Sequence, residues 1–233
     1  MKNTLVLCAI SLCVSLSVIG FTIHQRGYRS LPILPDQAHL IFSEDFDKPD
    51  ALSGFTQGLP DLGHKAGSDK QAAWRISEGA LYAESAHNAA LWLKTPLPSG
   101  DLRISFTATA LSKEGDLKCE IFADGENHQS GYILINGGWK NSVRAIARQD
   151  EHGEDRHNDH RCSSTPSRQC VTPQQEQEWV IERRGKRIDW YIDGRYTLSY
   201  HDAHPLKGRS FGFNNWFAGA RFDKLRIYQL PQR

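Results

Sequence analysis

The chain has 233 residues, with 28 Lys and Arg against 27 Asp and Glu and a formal net charge of +1. So even a balance gives no electrostatic case for nucleic acid or for an anionic membrane surface as the partner. The length suits one large all-β unit with a core of its own. An aromatic content of 10%, with 6 Trp, 10 Phe and a single Met at position 1, favours strands over helices.

The first element in chain order is an apolar run, Leu5 to Ile23, unbroken by charge and preceded by Lys2. It is long enough to cross a bilayer as a helix. Residues 1–26 therefore read as a signal-anchor or a cleaved signal peptide, Val18-Ile19-Gly20 being a poor cleavage site. Either reading places the remainder of the chain outside the cytoplasm, in the cell envelope or secreted. Residues 27–38 carry Pro32 and Pro35 and read as a linker, and residues 39–230 as the domain.

From His39 onward short strands alternate with turns, and no amphipathic helix is evident. Ile41–Phe46, Trp74–Ile76, Gly79–Glu84 and Ala89–Leu93 read as short strands. In Leu102–Ala110 every second residue is apolar, the period of a half-buried strand. Leu117, Cys119, Ile121 and Ala123 repeat the pattern against Lys118, Glu120 and Phe122. Val143, Ala145 and Ala147 do so against Arg144, Ile146 and Arg148. Ile188–Ile192 leads through Asp193-Gly194, a tight hairpin turn, into Tyr196–Tyr200. Phe211–Asn214 and Ala220–Tyr228 close the domain. Thr56–Gln71 and the His-rich Asp150–Gln177 read as long loops. The expected fold is all-β, a two-sheet antiparallel sandwich behind one N-terminal hydrophobic helix. Cys162 and Cys170 flank a polar loop and can close it as a disulfide in an oxidising compartment, while Cys119 reads as a buried thiol.

Five segments carry a family resemblance: FSEDFD, WRISEGALYAES, LWLKTPLPSGDLRISFTATA, the run from WVIERRGKRIDWYIDG to GRSFGFNNW, and RFDKLRIYQL. Over roughly residues 39–230 they resemble bacterial members of the concanavalin A-like lectin/glucanase superfamily. Gly137–Ser142 and Ala147–Arg156 are similar to stretches of exported members without an assigned function. The resemblance implies a jelly-roll sandwich whose ligands, mostly carbohydrates, lie across a concave sheet. It speaks for the fold more than for the activity.

The candidate site rests on side-chain chemistry. Trp139 and Trp216 offer flat apolar surfaces for the C–H face of a sugar, and Asn141 and Asn215 can both donate to and accept from hydroxyls. Glu120, Tyr132, Arg148 and Glu151 would add polar contacts, with Arg148 beside Glu120 and suited to a uronate. The expected function is extracytoplasmic glycan recognition. The alternatives are a carbohydrate-active enzyme and a cell-envelope interaction domain without a small ligand. In a hydrolase Glu120 would lead as the acid; in a lyase Arg148 or Asn141 would neutralise a uronate while Tyr132 or His152 served as base. No paired-carboxylate run, phosphate loop or nucleotide fingerprint is present. His152, His157 and His160 match no strong zinc spacing, so no metal or cofactor is expected. The expected partners are a glycan and, through the N-terminal segment, a membrane.

Overall fold

A computed structural model describes residues 29–58, 74–159, Cys162 and 169–232. The Leu5–Ile23 run and the anchor reading that rests on it lie outside the described residues. Among the described residues no helix is long and apolar enough to cross a membrane.

The period-two segments form two antiparallel sheets, with strands numbered along the chain. The eight-stranded sheet contains β1 (His39–Glu44), β3 (Arg75–Ser77), β4 (Ala80–Ala83), β6 (Leu102–Ala110), β11 (Glu176–Arg184), β12 (Arg187–Ile192), β13 (Arg195–His201) and β15 (Ala220–Gln229). Its order is β13-β12-β11-β6-β15-β4-β3, with β1 also on β15. The second sheet contains β2 (Phe55–Gln57), β5 (Leu91–Leu93), β7 (Leu117–Ala123), β8 (Tyr132–Gly137), β9 (Val143–Arg148), β10 (Arg156–Asn158) and β14 (Ser210–Asn214). Its order is β10-β9-β8-β7-β14-β5-β2.

The inner faces meet in an aromatic core. Phe106 of β6 lies 5.3 Å from Trp179 and 5.2 Å from Phe213, and Phe213 stacks on Phe222 at 4.6 Å. Edge-to-face and offset contacts of this kind add to the burial of ring area that holds the sheets together. Residues 29–32, within the stretch read as linker, lie against the eight-stranded sheet. Ser30 bridges to Arg195, Leu31 N–H donates to Gly194 O, and Arg103 donates to Pro32 O. The Arg103–Glu182 ion pair is buried there, with side chains 7% and 5% exposed.

Strand parity decides what the second sheet presents outward. Leu117, Cys119 and Ile121 face the core, so Lys118 and Glu120 face out. The expected alternation breaks at Phe122. Its φ of 55° turns it into the core, and Ala123 packs outward with Ala90 and Trp92. In β8 and β9 it is Tyr132, Leu134 and Ile146 that face inward, while Ile133, Ile135 and Ala147 form the outer face. Trp92 lies flat over Gly212, where an added Cβ would stand 2.5 Å from the ring. Gly212→Ala should therefore overpack the outer face and lower stability by about 1–3 kcal/mol, measured by denaturant unfolding.

Candidate functional site

One end of the outer face holds a cavity of about 600 Å³. Its walls are aromatic. Trp139, 40% exposed, stands on one side, and Trp216 and Phe217, the latter 64% exposed, on the other.

Trp139 sits in an unusual backbone. Gly137 and then Trp139, Lys140 and Asn141 have φ of 82°, 49°, 60° and 63°, which makes a single left-handed turn between β8 and β9. Each non-glycine residue in this region is strained by its Cβ, and such strain persists only where the surroundings hold it. Here Asn141 holds it. Its side chain is fully buried, donates to Val171 O and Lys113 O, and accepts from Val171 N–H. Gly115 abuts the turn so closely that a Cβ would lie 2.5 Å from Gly137 O. Arg156 lies over the Trp139 ring at 4.9 Å and donates to Glu151 O.

The opposite wall is built the same way. Asn215 is buried, accepts from Ala86 N–H and donates to Ala218 O. Asp116 accepts from Trp216 N–H. His87 meets the Trp216 ring edge-on at 5.1 Å and that of Phe217 at 6.2 Å. Burial pushes the Asp116 carboxyl above its usual range, against the opposing pull of Lys118 and the Trp216 amide.

The floor is ionic. The Lys118 ammonium lies 2.8 Å from Glu151 Oε2 and donates to Asn88 Oδ1 at 2.9 Å, with the Lys118 and Glu151 side chains 3% and 7% exposed. Burial opposes charge on Lys118, but Asp116, Glu151 and Glu120 outweigh it and raise its pKa. Burial likewise opposes charge on Glu151, yet the nearby His128 imidazole and Lys118 hold its pKa well below the usual carboxylate range. Behind this pair His128 Nδ1 bonds Glu120 Oε1, and His128 Nε2 lies 3.7 Å from Glu151 Oε1.

The structure thus brings Trp139, Trp216 and Glu151 to one cavity and places the other expected contacts away from its lining. Glu120 faces out as expected but is fully buried, sealed by His128, Gln129 N–H and Asn214 Nδ2. Arg148 is not beside Glu120. It pairs with Tyr132 across β8–β9, on the inward parity, and its Nε donates to Asp202 Oδ2. Tyr132 is 1% exposed and donates to the same carboxylate oxygen. Burial, then the Asp202 hydrogen bond, pushes its pKa up to about 12. Asn141 and Asn215 position the walls and are sealed from a ligand. The Asp150–Gln177 segment does more than form a solvated loop. It supplies Glu151, His152 and β10, and Cys162 is joined to Cys170 beside the buried Val171.

The residues that sequence reasoning missed are Asn88, Glu114, Lys140, Phe217 and His128. Lys118 carried a faint signal, as a lysine alternating with core residues in a central strand. His128 in the β7–β8 loop carried none.

No protein-family model matches this chain, and no curated protein matches it. Solved structures do. A carbohydrate-binding module, CBM66, from Bacillus subtilis aligns with a TM-score of 0.57 at 15% identity, over 76% of this chain and 96% of the module. A non-specific endo-β-1,3(4)-glucanase of family GH16 aligns with a TM-score of 0.58 at 11% identity, over 87% and 98%. A Bacillus subtilis protein of unknown function with a galectin-like fold aligns with a TM-score of 0.54 at 10% identity, over 88% and 100%. The fold is that of the concanavalin A-like sandwich.

The ionic floor sets a pH dependence. His128 has its pKa raised: burial lowers it, but the hydrogen bond to Glu120 and the nearby Glu151 carboxylate outweigh burial and the nearby Lys118. Its contribution to stability is complete below the unfolded value of about 6.5 and is lost as pH rises through the raised folded value. Glu151, with its pKa depressed, contributes above its unfolded value of about 4.3 and loses that contribution as pH falls through the folded value. The stability gap between wild type and His128→Asn should therefore be widest below about pH 6.5 and narrow as pH rises, in urea titrations across the range.

Proposed function

We propose that this protein binds a neutral carbohydrate, outside the cytoplasm, in the cavity between Trp139 and Trp216. The observation that carries the reading is the pairing at the floor. An ammonium has three N–H donors, and Lys118 commits two of them, to Glu151 and Asn88. Glu151 Oε1 lies 3.6–3.7 Å from the nearest imidazole nitrogens, too far for a good hydrogen bond. One free donor and one free acceptor thus stand side by side, both anchored in side chains more than nine-tenths buried. Neighbouring hydroxyls on a sugar ring match that pair, one accepting from Lys118 and one donating to Glu151. The aromatic walls suit the ring's C–H faces, and the volume falls within the roughly 300–1,000 Å³ of small-ligand sites.

Charge argues against an acidic sugar. Glu114, Asp116 and Glu151 line the cavity against Lys118 and Lys140, and Arg148, the residue expected to take a uronate, is committed to Asp202. An extracytoplasmic setting is supported by the Leu5–Ile23 run and by the Cys162–Cys170 disulfide, which suits an oxidising compartment. The carbohydrate-binding module and the glucanase with this fold are consistent with the reading.

The test is isothermal titration with neutral and acidic oligosaccharides. Trp139→Ala should weaken neutral-sugar binding by about tenfold or more, as loss of a stacking anchor does. The midpoint of unfolding should barely move, because the ring is part-exposed. Binding of uronic acid chains alone would refute the proposal. Release of new reducing ends from a bound glycan would recast the site as a hydrolase, with Asp116 and Glu151 among its cavity-lining carboxyls.

Lys118→Met separates floor from walls. It leaves Glu151 buried without its cation, which should destabilise the fold by about 3 kcal/mol or more and abolish binding. The paired Lys118→Met/Glu151→Leu variant should regain much of the stability and none of the binding, read by urea titration and calorimetry.

A further inference from the structure

We infer that the site reads the end of a glycan chain, a single terminal residue, and does not grip the interior of a polymer. This rests on the carbohydrate reading above and goes beyond it by fixing how the ligand is presented.

The outer face is covered over most of its width. A sandwich that binds the middle of a polysaccharide needs an open trough across several strands. Here the trough is filled. Trp92, Ala123, Glu120, Ile133 and Ala147 lie across β5, β7, β8 and β9, and none is more than 2% exposed. The cover is the β7–β8 connection, residues 124–131. Its fold is set internally by Asp124, which accepts from Glu126 N–H, Asn127 N–H and Ser130 Oγ. It is then pinned to the sheet where His128 and Gln129 N–H bond Glu120. Its far flank reaches the edge strand, because a Cβ on Gly58 would stand 3.1 Å from Glu126 O. A second layer secures it: Glu151 N–H donates to the Gln129 side chain, and Gln149 N–H to Gly131 O.

Among the described residues one end of the sheet is left uncovered. The cavity is lined by Asp116 and Lys118 at the start of β7, by Ile135 and Trp139 at the end of β8, and by Phe217 beyond β14. Among the described residues the way inward along the sheet is blocked by His128 and the ion pairs behind it. The way outward passes Glu114 and Lys140. A chain that entered by that route would have to stop at the Lys118–Glu151 floor. Its last ring would lie between the tryptophans and the rest would run off the edge of the sheet. An added residue at the buried end would need the space that Glu120 and His128 occupy, and that space is held by charged hydrogen bonds, not by a mobile side chain.

The experiment uses the full chain in detergent on an array of linear neutral oligosaccharides coupled through their reducing ends. Each terminal hexose or N-acetylhexosamine is presented on several different chains, and each chain also carries a version extended by one different residue. Signal should follow the terminal residue whatever lies beneath it. Extension should reduce it by about tenfold or more, the scale of excluding a group that does not fit. Affinity should change by less than about threefold between a disaccharide and a hexasaccharide with the same end, because the described residues offer no further subsite along the sheet to add to it. Signal that follows an internal repeat, equal on extended and unextended chains, or that climbs steadily with length, would overturn the inference and leave carbohydrate binding standing. Absence of signal from every neutral glycan would overturn the binding reading, and this inference with it.

Discussion

An ammonium group removed from water must be surrounded by charge or it does not stay charged, and the arrangement around Lys118 reflects that requirement. β7 carries it outward at the centre of a sheet. Its partners arrive from far along the chain: Glu151 from the connection after β9, Asn88 from the turn between β4 and β5, and Asp116 from the mouth of its own strand. Each of these residues also shapes the cavity. Asp116 holds Trp216 through its amide, and Glu151 accepts Arg156 at its carbonyl, the same arginine that covers one side of Trp139. The desolvation of one lysine therefore couples three loops that share no sequence proximity. Such clusters add little net stability compared with apolar packing, but they fix geometry, because any departure leaves a bare charge.

The same logic separates the two kinds of asparagine and tryptophan found in Gly137–Asn141 and Asn214–Trp216. By residue type, each stretch offers a ring and an amide, and both look like ligand contacts. The structure divides the labour. In each, the amide turns inward to satisfy backbone groups that a loop leaves unpaired, and the ring is held outward as a result. A left-handed run of Trp139, Lys140 and Asn141 would not persist in a loop free to relax. The buried amide of Asn141 makes that relaxation expensive.

Much of the fold was legible because period two runs through β6, β12 and β7 as far as Ile121, regardless of what they pack against. The site was legible only in part, for a reason tied to parity. Alternation shows that two sets of residues face opposite ways but not which set faces the core when both are half apolar. In β9, Ala145 and Ala147 looked like the inward set; Ile146 is, and Arg148 goes with it to Asp202. A one-residue difference of that sort moves every side chain to the other face. Phe122 shows a second limit. A positive φ within a strand resets the alternation without leaving a mark in residue type. His128 and the β7–β8 cover were illegible because their role depends on a contact with Glu120 across the sheet, which loop composition does not encode.

Cover and charge together explain why Glu120, the most natural candidate acid by sequence, is out of reach while Glu151 is in place. Both carboxylates bond or border His128, but from opposite sides of it. Glu120 lies under the β7–β8 connection, where its oxygens are used to tie that connection down. Glu151 lies beyond the connection, with one oxygen on Lys118 and the other between His128 and His152. His128 is thus the boundary between a carboxylate that ties down the β7–β8 connection and one that lines the cavity. The position of that boundary along β7 sets how deep a ligand can go. Moving it by one strand position would require the outward parity to change, and the core residues Cys119 and Ile121 on either side of Glu120 do not permit that. The depth of the pocket is in this sense fixed by the packing of the opposite face of the same strand.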